Sequence, residues 1–321
     1  MASGMSGNPV FIVKTESSSF VVKMFLENKK GNGYKEETKA LRFLKKIKYS
    51  EIKFTRLLGS AVIKCDLGKI PIIAEEIALG TDLSKLFKSG QISEDVIYAV
   101  SVGLSKLDQF KNKSMQTETK NKIQELLNRL VKEFKNIKKI NKEKIVSIPK
   151  KTMVRFKKLI DTIKSSFDSN LSEWGHSVYN YGDVAHGNIF FDKKDGCVTF
   201  IDPPLLVKSI RNDDGFPTGI EDSDFTSFQA HIRMNGHKYK LSQKKIDHLI
   251  SVSEKGYKSG SGKQSKSKHF LQLLNVAMPV GLWVKPKDSK FIYNDDQNTL
   301  KSLVSDFVKT VDSQFEKGIW D

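Results

Sequence analysis

Hydrophobic and polar positions along the chain change period near residue 78. Before it, short β-branched and aromatic runs are separated by polar turns. Val10–Val13 and Phe20–Phe25, joined by the polar stretch 14–19, read as two strands. Phe54–Leu58 and Ala61–Cys65 read as a hairpin turning at Gly59-Ser60, and Ile70–Ala78 as an apolar strand with two acids near its end. Beyond it the spacing becomes helical. Val96, Ile97, Val100, Val102, Leu104 and Leu107 form a stripe, as do Ile123, Leu126, Leu127, Leu130, Val131 and Phe134. Further amphipathic helices are expected around Met153–Ile163 and over Asn298–Phe315, with a lysine-dense joint at Lys138–Lys151 broken by Pro149. The Gly-, Ser- and Lys-rich stretch Lys255–His269 reads as a flexible basic loop.

One segment interrupts the helical half. Tyr181-Gly-Asp-Val-Ala-His-Gly-Asn188 runs into a strand (Ile189–Asp192), a turn (Lys193–Gly196) and a returning strand (Cys197–Ile201) that ends at Asp202. Asp183 and Asn188 have the D-x-x-x-x-N spacing of a kinase catalytic loop. Phosphoryl transfer from ATP needs this set: one carboxylate to accept a hydroxyl proton, and an amide and a second carboxylate to hold Mg²⁺ against the phosphates.

The block resembles the H-G-D-x-x-x-x-N … I-D signature of the aminoglycoside phosphotransferase and choline kinase group, small-molecule relatives of the protein kinases. Gly182, Asp183, Gly187, Asn188, Ile201 and Asp202 match it. Tyr181 stands where the family usually has His, and Ala185-His186 replaces the usual His-Pro. The resemblance implies an α+β, two-lobed protein-kinase-like fold. Residues 1–78 would form a small antiparallel β-rich N-lobe and 79–321 a larger, mostly helical C-lobe. It also implies ATP and Mg²⁺ as cofactors, Asp183 as base, and Asn188 and Asp202 as catalytic metal ligands.

The same resemblance assigns roles upstream. Lys23, in a strand-like run, would reach the α/β-phosphates, held by Glu37 of an E-x-x-x-L helix motif, with Glu36 competing for that role. Gly7, beside Gly4, would belong to a phosphate loop approached by backbone N–H groups. Backbone groups of Glu76, Ile77 and Ala78 would receive adenine at the hinge between lobes. Asp224 would start a helix that braces the catalytic loop, although an N-cap by Asp222 or Ser223 explains the same residues. His186 reads either as a substrate contact or as a loop-bracing core histidine.

Charge narrows the substrate. The 321-residue chain carries a formal net charge of +17, from 48 lysines and six arginines against 37 acids. Such a balance disfavours polycationic acceptors and favours a neutral or anionic small hydroxyl compound, although the acids Asp213, Asp214, Glu221 and Asp222 leave room for a local acidic patch. Lysine spread over helix surfaces reads as solvated faces more readily than as a nucleic-acid stripe, for which the arginine fork is the usual tool. Two other readings stay open: a divergent protein kinase, against which the missing D-F-G and A-P-E motifs stand, and a non-catalytic Lys-rich nucleic-acid or anion-binding protein. No apolar run reaches membrane-spanning length. Cys65 and Cys197 in apolar strand contexts suggest buried thiols in a reduced cytoplasm.

Overall fold

A computed structural model describes residues 2–3, 8–26, 33–45, 52–66, 68–109, 116–169, 174, 177–202, 218–261, 266–282 and 297–319. The chain divides into two compact units, residues 1–103 with 181–218, and 104–180 with 219–321. The lobe boundary expected at residue 78 falls inside the first unit.

The first unit is built on β pairing. Strands β1 (Ala2–Ser3), β2 (Pro9–Lys14), β3 (Ser19–Met24), β5 (Leu57–Cys65) and β6 (Gly68–Glu76) form a five-stranded antiparallel sheet in the order β1-β2-β3-β6-β5. Helix α1 (Gly33–Leu44) contributes Leu41 to a small core with Phe25 and Ile73. The expected hairpin at Gly59-Ser60 is not there. β5 runs unbroken through both residues, with a register shift between Leu57 and Gly59, because β6 offers it a full-length partner from Glu75 to Gly68. A pairing partner settles what Gly-Ser does; here it makes an irregular strand rather than a turn. Cys65, expected to be buried, is exposed on this edge strand, whereas Cys197 is buried.

A second sheet carries the interrupting segment. Strands β9 (Ile189–Asp192) and β10 (Cys197–Phe200) form the expected hairpin. β4 (Ile52–Phe54) lies parallel to β10 and β7 (Thr81–Asp82) antiparallel to β9, giving the order β4-β10-β9-β7. Every residue of β10 is buried. Gly80, at φ +91°, brings β7 so close that a Cβ there would meet the Phe191 carbonyl oxygen at 2.1 Å. Short α2 (Leu83–Lys88) follows β7, N-capped by Asp82, whose carboxylate accepts from Lys85 N at 2.9 Å. α3 (Glu94–Leu107) follows α2.

The second unit is helical. α4 (Gln116–Lys142), α5 (Lys150–Ser169), α6 (Ser223–Lys238), α7 (Gln243–Ser261), α8 (Lys266–Leu282) and α9 (Gln297–Glu316) accompany a two-stranded ribbon of β8 (Ser177–Tyr179) and β11 (Thr218–Ile220). The apolar stripe of α4 is core: Ile123, Leu127 and Leu130 pack with Phe156, Trp174, Phe270 and Phe307. The basic stretch at 255–269 is largely helical, not a loop; only 262–265 lie outside the described residues. Tyr257 explains why. Its ring stacks on Phe225 at 4.0 Å and its hydroxyl donates to buried Asp108, which pins the end of α7. Among the described residues, no helix is long and apolar enough to cross a membrane.

Candidate active site

Lys23 sits where three elements of the first unit converge. On β3 it faces Ile73 of β6, so its side chain shares a sheet face with Ile73 and, two residues on, Glu75. Its Nζ donates to Glu37 Oε1 of α1 at 2.6 Å and to Asp202 Oδ1 at 3.1 Å. Glu75 Oε1 lies 2.9 Å away as an ion-pair contact. The other oxygen of Glu75 accepts from Thr55 Oγ1 at 3.0 Å. Glu37 and Glu75 are both buried, whereas the Asp202 side chain is 48% exposed.

The loop before β9 is held from both ends. Tyr181 is buried against Phe54 and Phe200, and its hydroxyl donates to the carbonyl of Ile201, the residue before Asp202. A position where the resembled family usually has His thus ties the Asp183 loop to the Asp202 strand. Ala185 N donates to Asp183 Oδ1 at 3.4 Å, and Asn188 Nδ2 to the Asp183 carbonyl at 3.4 Å. Residues His186–Asn188 form one 3-10 turn, closed by Asn188 N on Ala185 O at 2.8 Å, and Ile201 N donates to Asn188 O at 2.9 Å. That last bond sets the proposed metal-binding amide beside the Asp202 strand. Asp202 has φ +59°, an uncommon left-handed conformation for a non-glycine residue and the kind of strain that collects at functional sites.

No protein-family model and no curated protein sequence matches the chain. Solved structures do. An amicoumacin kinase in complex with AMP-PNP, Ca²⁺ and Ami is 13% identical, with 94% of this chain and 85% of that chain covered, at a TM-score of 0.51. A putative aminoglycoside phosphotransferase from Ralstonia eutropha JMP134 is 12% identical, covering 95% and 90%, at a TM-score of 0.55. The fold is protein-kinase-like. At the level of the fold, the resemblance read from the sequence is borne out: a small antiparallel sheet is followed by a larger, mostly helical part.

Within this fold, charge is unevenly distributed over the candidate site. Burial alone would drive Lys23 toward its neutral form, but Glu37, Glu75 and Asp202 outweigh it and hold the ammonium charged, above the ordinary lysine value. Burial raises Glu37 to about 8, with Lys23 opposing and Glu75 and Asp202 reinforcing the rise. Of these two tendencies the charged lysine is the one the geometry secures, because three carboxylate oxygens lie within 3.1 Å of Nζ. Burial also raises Asp183, helped by the charge of Asp202, while hydrogen bonds from Ala185 and Asn188 pull the other way. A carboxylate with a raised proton affinity is a better proton acceptor near neutral pH.

The predicted residues do not all fall in this cluster. Gly7 lies outside the described residues. Glu76 turns away from Lys23: it pairs with Arg56, and its N–H donates to the Arg56 carbonyl at 2.9 Å. Ile77 and Ala78 follow where β6 ends, half-buried. His186 is buried and stacked on Phe87 at 4.6 Å, the packing of a loop-bracing histidine. In the second unit Asp222 takes the N-cap position of α6 without a side-chain capping bond, at φ +70°. It and Asp224 are buried, so neither adds to a surface acidic patch; 213–214 lie outside the described residues. A cavity of about 410 Å³ lies inside that unit, and none of the predicted site residues lines it. Sequence reasoning missed Glu75 and the brace from Tyr181.

Proposed function

We propose that the protein is an ATP- and Mg²⁺-dependent phosphotransferase that moves the γ-phosphate to a hydroxyl of a small molecule. The observation that carries this reading is the meeting of Lys23, Glu37 and Asp202 within 3.1 Å, with Asp183 and Asn188 on the adjoining braced loop. The phosphotransferase fold supports it, and one of the similar structures is itself a complex with a nucleotide analogue and a divalent cation.

The donors fit magnesium. Asp202 is partly exposed, and with Asn188 Nδ2 engaged on the Asp183 carbonyl the amide oxygen remains for a cation. One carboxylate and one amide oxygen, completed by phosphate oxygens and water, match the hard, oxygen-rich coordination that Mg²⁺ prefers. When bound, the metal would offset charge on the transferring phosphoryl group. Lys23, positioned by Glu37, neutralises the α/β-phosphates, and Asp183 orients the acceptor hydroxyl and takes its proton late. Positioning and electrostatics outweigh proton abstraction, because phosphoryl transfer passes through a loose transition state. ATP would be approached by Gly7 from the phosphate loop, with adenine against the backbone of Glu76, Ile77 and Ala78. In this reading residues 1–78 act as the nucleotide lobe and 79–321 as the catalytic and acceptor lobe, working in the cytoplasm. The net charge of +17 favours a neutral or anionic acceptor.

The test is phosphorylation of a metabolite pool with γ-labelled ATP, with Asp183→Asn as control. Labelled product that needs both Mg²⁺ and Asp183 supports the assignment. Equal transfer by Asp183→Asn sinks it.

A further inference from the structure

Lys23 is surrounded by more carboxylate than the proposed chemistry asks for. Glu37 holds it from α1, and Asp202 is needed for the metal. Glu75 has no part in that scheme, yet it is 2% exposed, 2.9 Å from Nζ, and oriented by Thr55. A buried carboxylate carries a large desolvation penalty, and its neighbour on the same sheet face, Ile73, is fully buried and apolar. The position is one that a hydrophobic residue would ordinarily fill.

We propose that Glu75 is a second anchoring carboxylate that positions Lys23 from within the sheet. The inference rests on the kinase reading above and deepens it. An ammonium has three donors. With nucleotide and metal bound, Asp202 would hold the metal and one lysine donor would meet phosphate, which would leave two donors to be fixed by the protein. Glu37 supplies one partner and Glu75 the other. Their mechanical origins differ. Glu37 depends on where α1 sits, whereas Glu75 is tied to Lys23 by the β3–β6 hydrogen-bond ladder, in which Lys23 faces Ile73 and Val21 faces Glu75. The diagonal spacing across such a ladder is short enough for long side chains to meet. The lysine is therefore held by its own sheet as well as by the helix.

Charge and positioning predict opposite effects for Glu75→Gln. On charge alone, removing a negative group beside the phosphates strengthens ATP binding. If Glu75 positions the lysine, ATP binding weakens, by about tenfold or more, and adenosine binding does not change, because adenosine has no phosphate for Lys23 to meet.

The experiment titrates the full chain with Mg·ATP and with adenosine, by displacement of a fluorescent ATP analogue. The variants are Glu75→Gln, Glu37→Gln and the two combined, with thermal melting of each. The expected result is weaker ATP and unchanged adenosine binding in both single variants. The combined loss should exceed the product of the single losses, since each anchor partly covers for the other. Thr55→Val keeps the carboxylate but releases its orientation, and carries the same test with a smaller loss if Glu75→Gln does not fold. ATP binding that is unchanged or tighter in Glu75→Gln overturns the proposal, as does an equal loss for ATP and adenosine, which marks a purely structural residue. If the parent chain binds no ATP, the kinase reading fails and takes this inference with it.

Discussion

Gly80 offers a sharp test of how the fold holds the strand that follows the candidate catalytic loop. Its φ is +91°, and a Cβ built there lies 2.1 Å from Phe191 O, 2.5 Å from Phe191 C and 2.7 Å from Asp192 N. All three are backbone atoms of β9, so no side chain can rotate to make room. Gly80→Ala therefore combines a strained backbone conformation, about 1–3 kcal/mol, with displacement of a packed strand, about 1–3 kcal/mol. The expected loss is about 2–6 kcal/mol. Two other glycines separate these contributions. Gly196, in the β9–β10 turn at φ +64°, has nothing within 4 Å of where an alanine methyl would sit, so Gly196→Ala carries only the conformational cost of about 1–2 kcal/mol. Gly59 has open space and no positive φ, and Gly59→Ala should stabilise by about 0.4–1 kcal/mol through the unfolded chain. Urea unfolding of the three variants, with peptide-resolved hydrogen exchange, should give the order Gly59→Ala above Gly196→Ala above Gly80→Ala and place the last loss at β7 and β9. A Gly80→Ala variant within about 0.5 kcal/mol of the parent refutes the reasoning.

Further outcomes concern the site itself. Asp183→Asn should retain nucleotide binding but lower turnover by roughly 10²–10⁴, measured as initial rate once an acceptor is found. Asp202→Ala should abolish transfer, and Mg²⁺ should no longer strengthen nucleotide binding in a calorimetric titration. His186→Ala should cost about 2–4 kcal/mol in chemical denaturation, since it removes a buried ring stacked on Phe87. Burial raises the proton affinity of Asp183, and in its proposed role as base it must act as a carboxylate. Activity should therefore fall as pH drops through a value above the ordinary aspartate range, and a pH–rate profile with its acid limb at the ordinary value contradicts this.

The parts of the fold legible in the sequence were those with local signals. The β9–β10 hairpin announced itself by two apolar runs around Lys193–Gly196, and the α4 and α9 stripes by helical spacing. The Lys23–Glu37 pairing came from a resemblance rather than from spacing, and the geometry brings the two together at 2.6 Å. What stayed hidden depends on non-local pairing. Glu75 reads as an ordinary acid at a strand end until β3 is laid against β6 in its actual register. Gly59-Ser60 reads as a turn until β6 lies alongside it. The stretch at 255–269 has a loop's composition, and contacts far away in sequence, those of Tyr257 with Phe225 and Asp108 among them, hold its first part as the end of a helix.

The central claim is that Asp183, Asn188 and Asp202 serve phosphoryl transfer to a small hydroxyl compound. Its most direct test follows γ-labelled phosphate from ATP into a fractionated metabolite pool, with the parent chain and Asp183→Asn compared at equal nucleotide occupancy. The account predicts a labelled, neutral or anionic small-molecule product that requires Mg²⁺ and is lost in the variant. A parent chain that binds ATP yet labels only protein, or labels the same product equally well without Asp183, contradicts it.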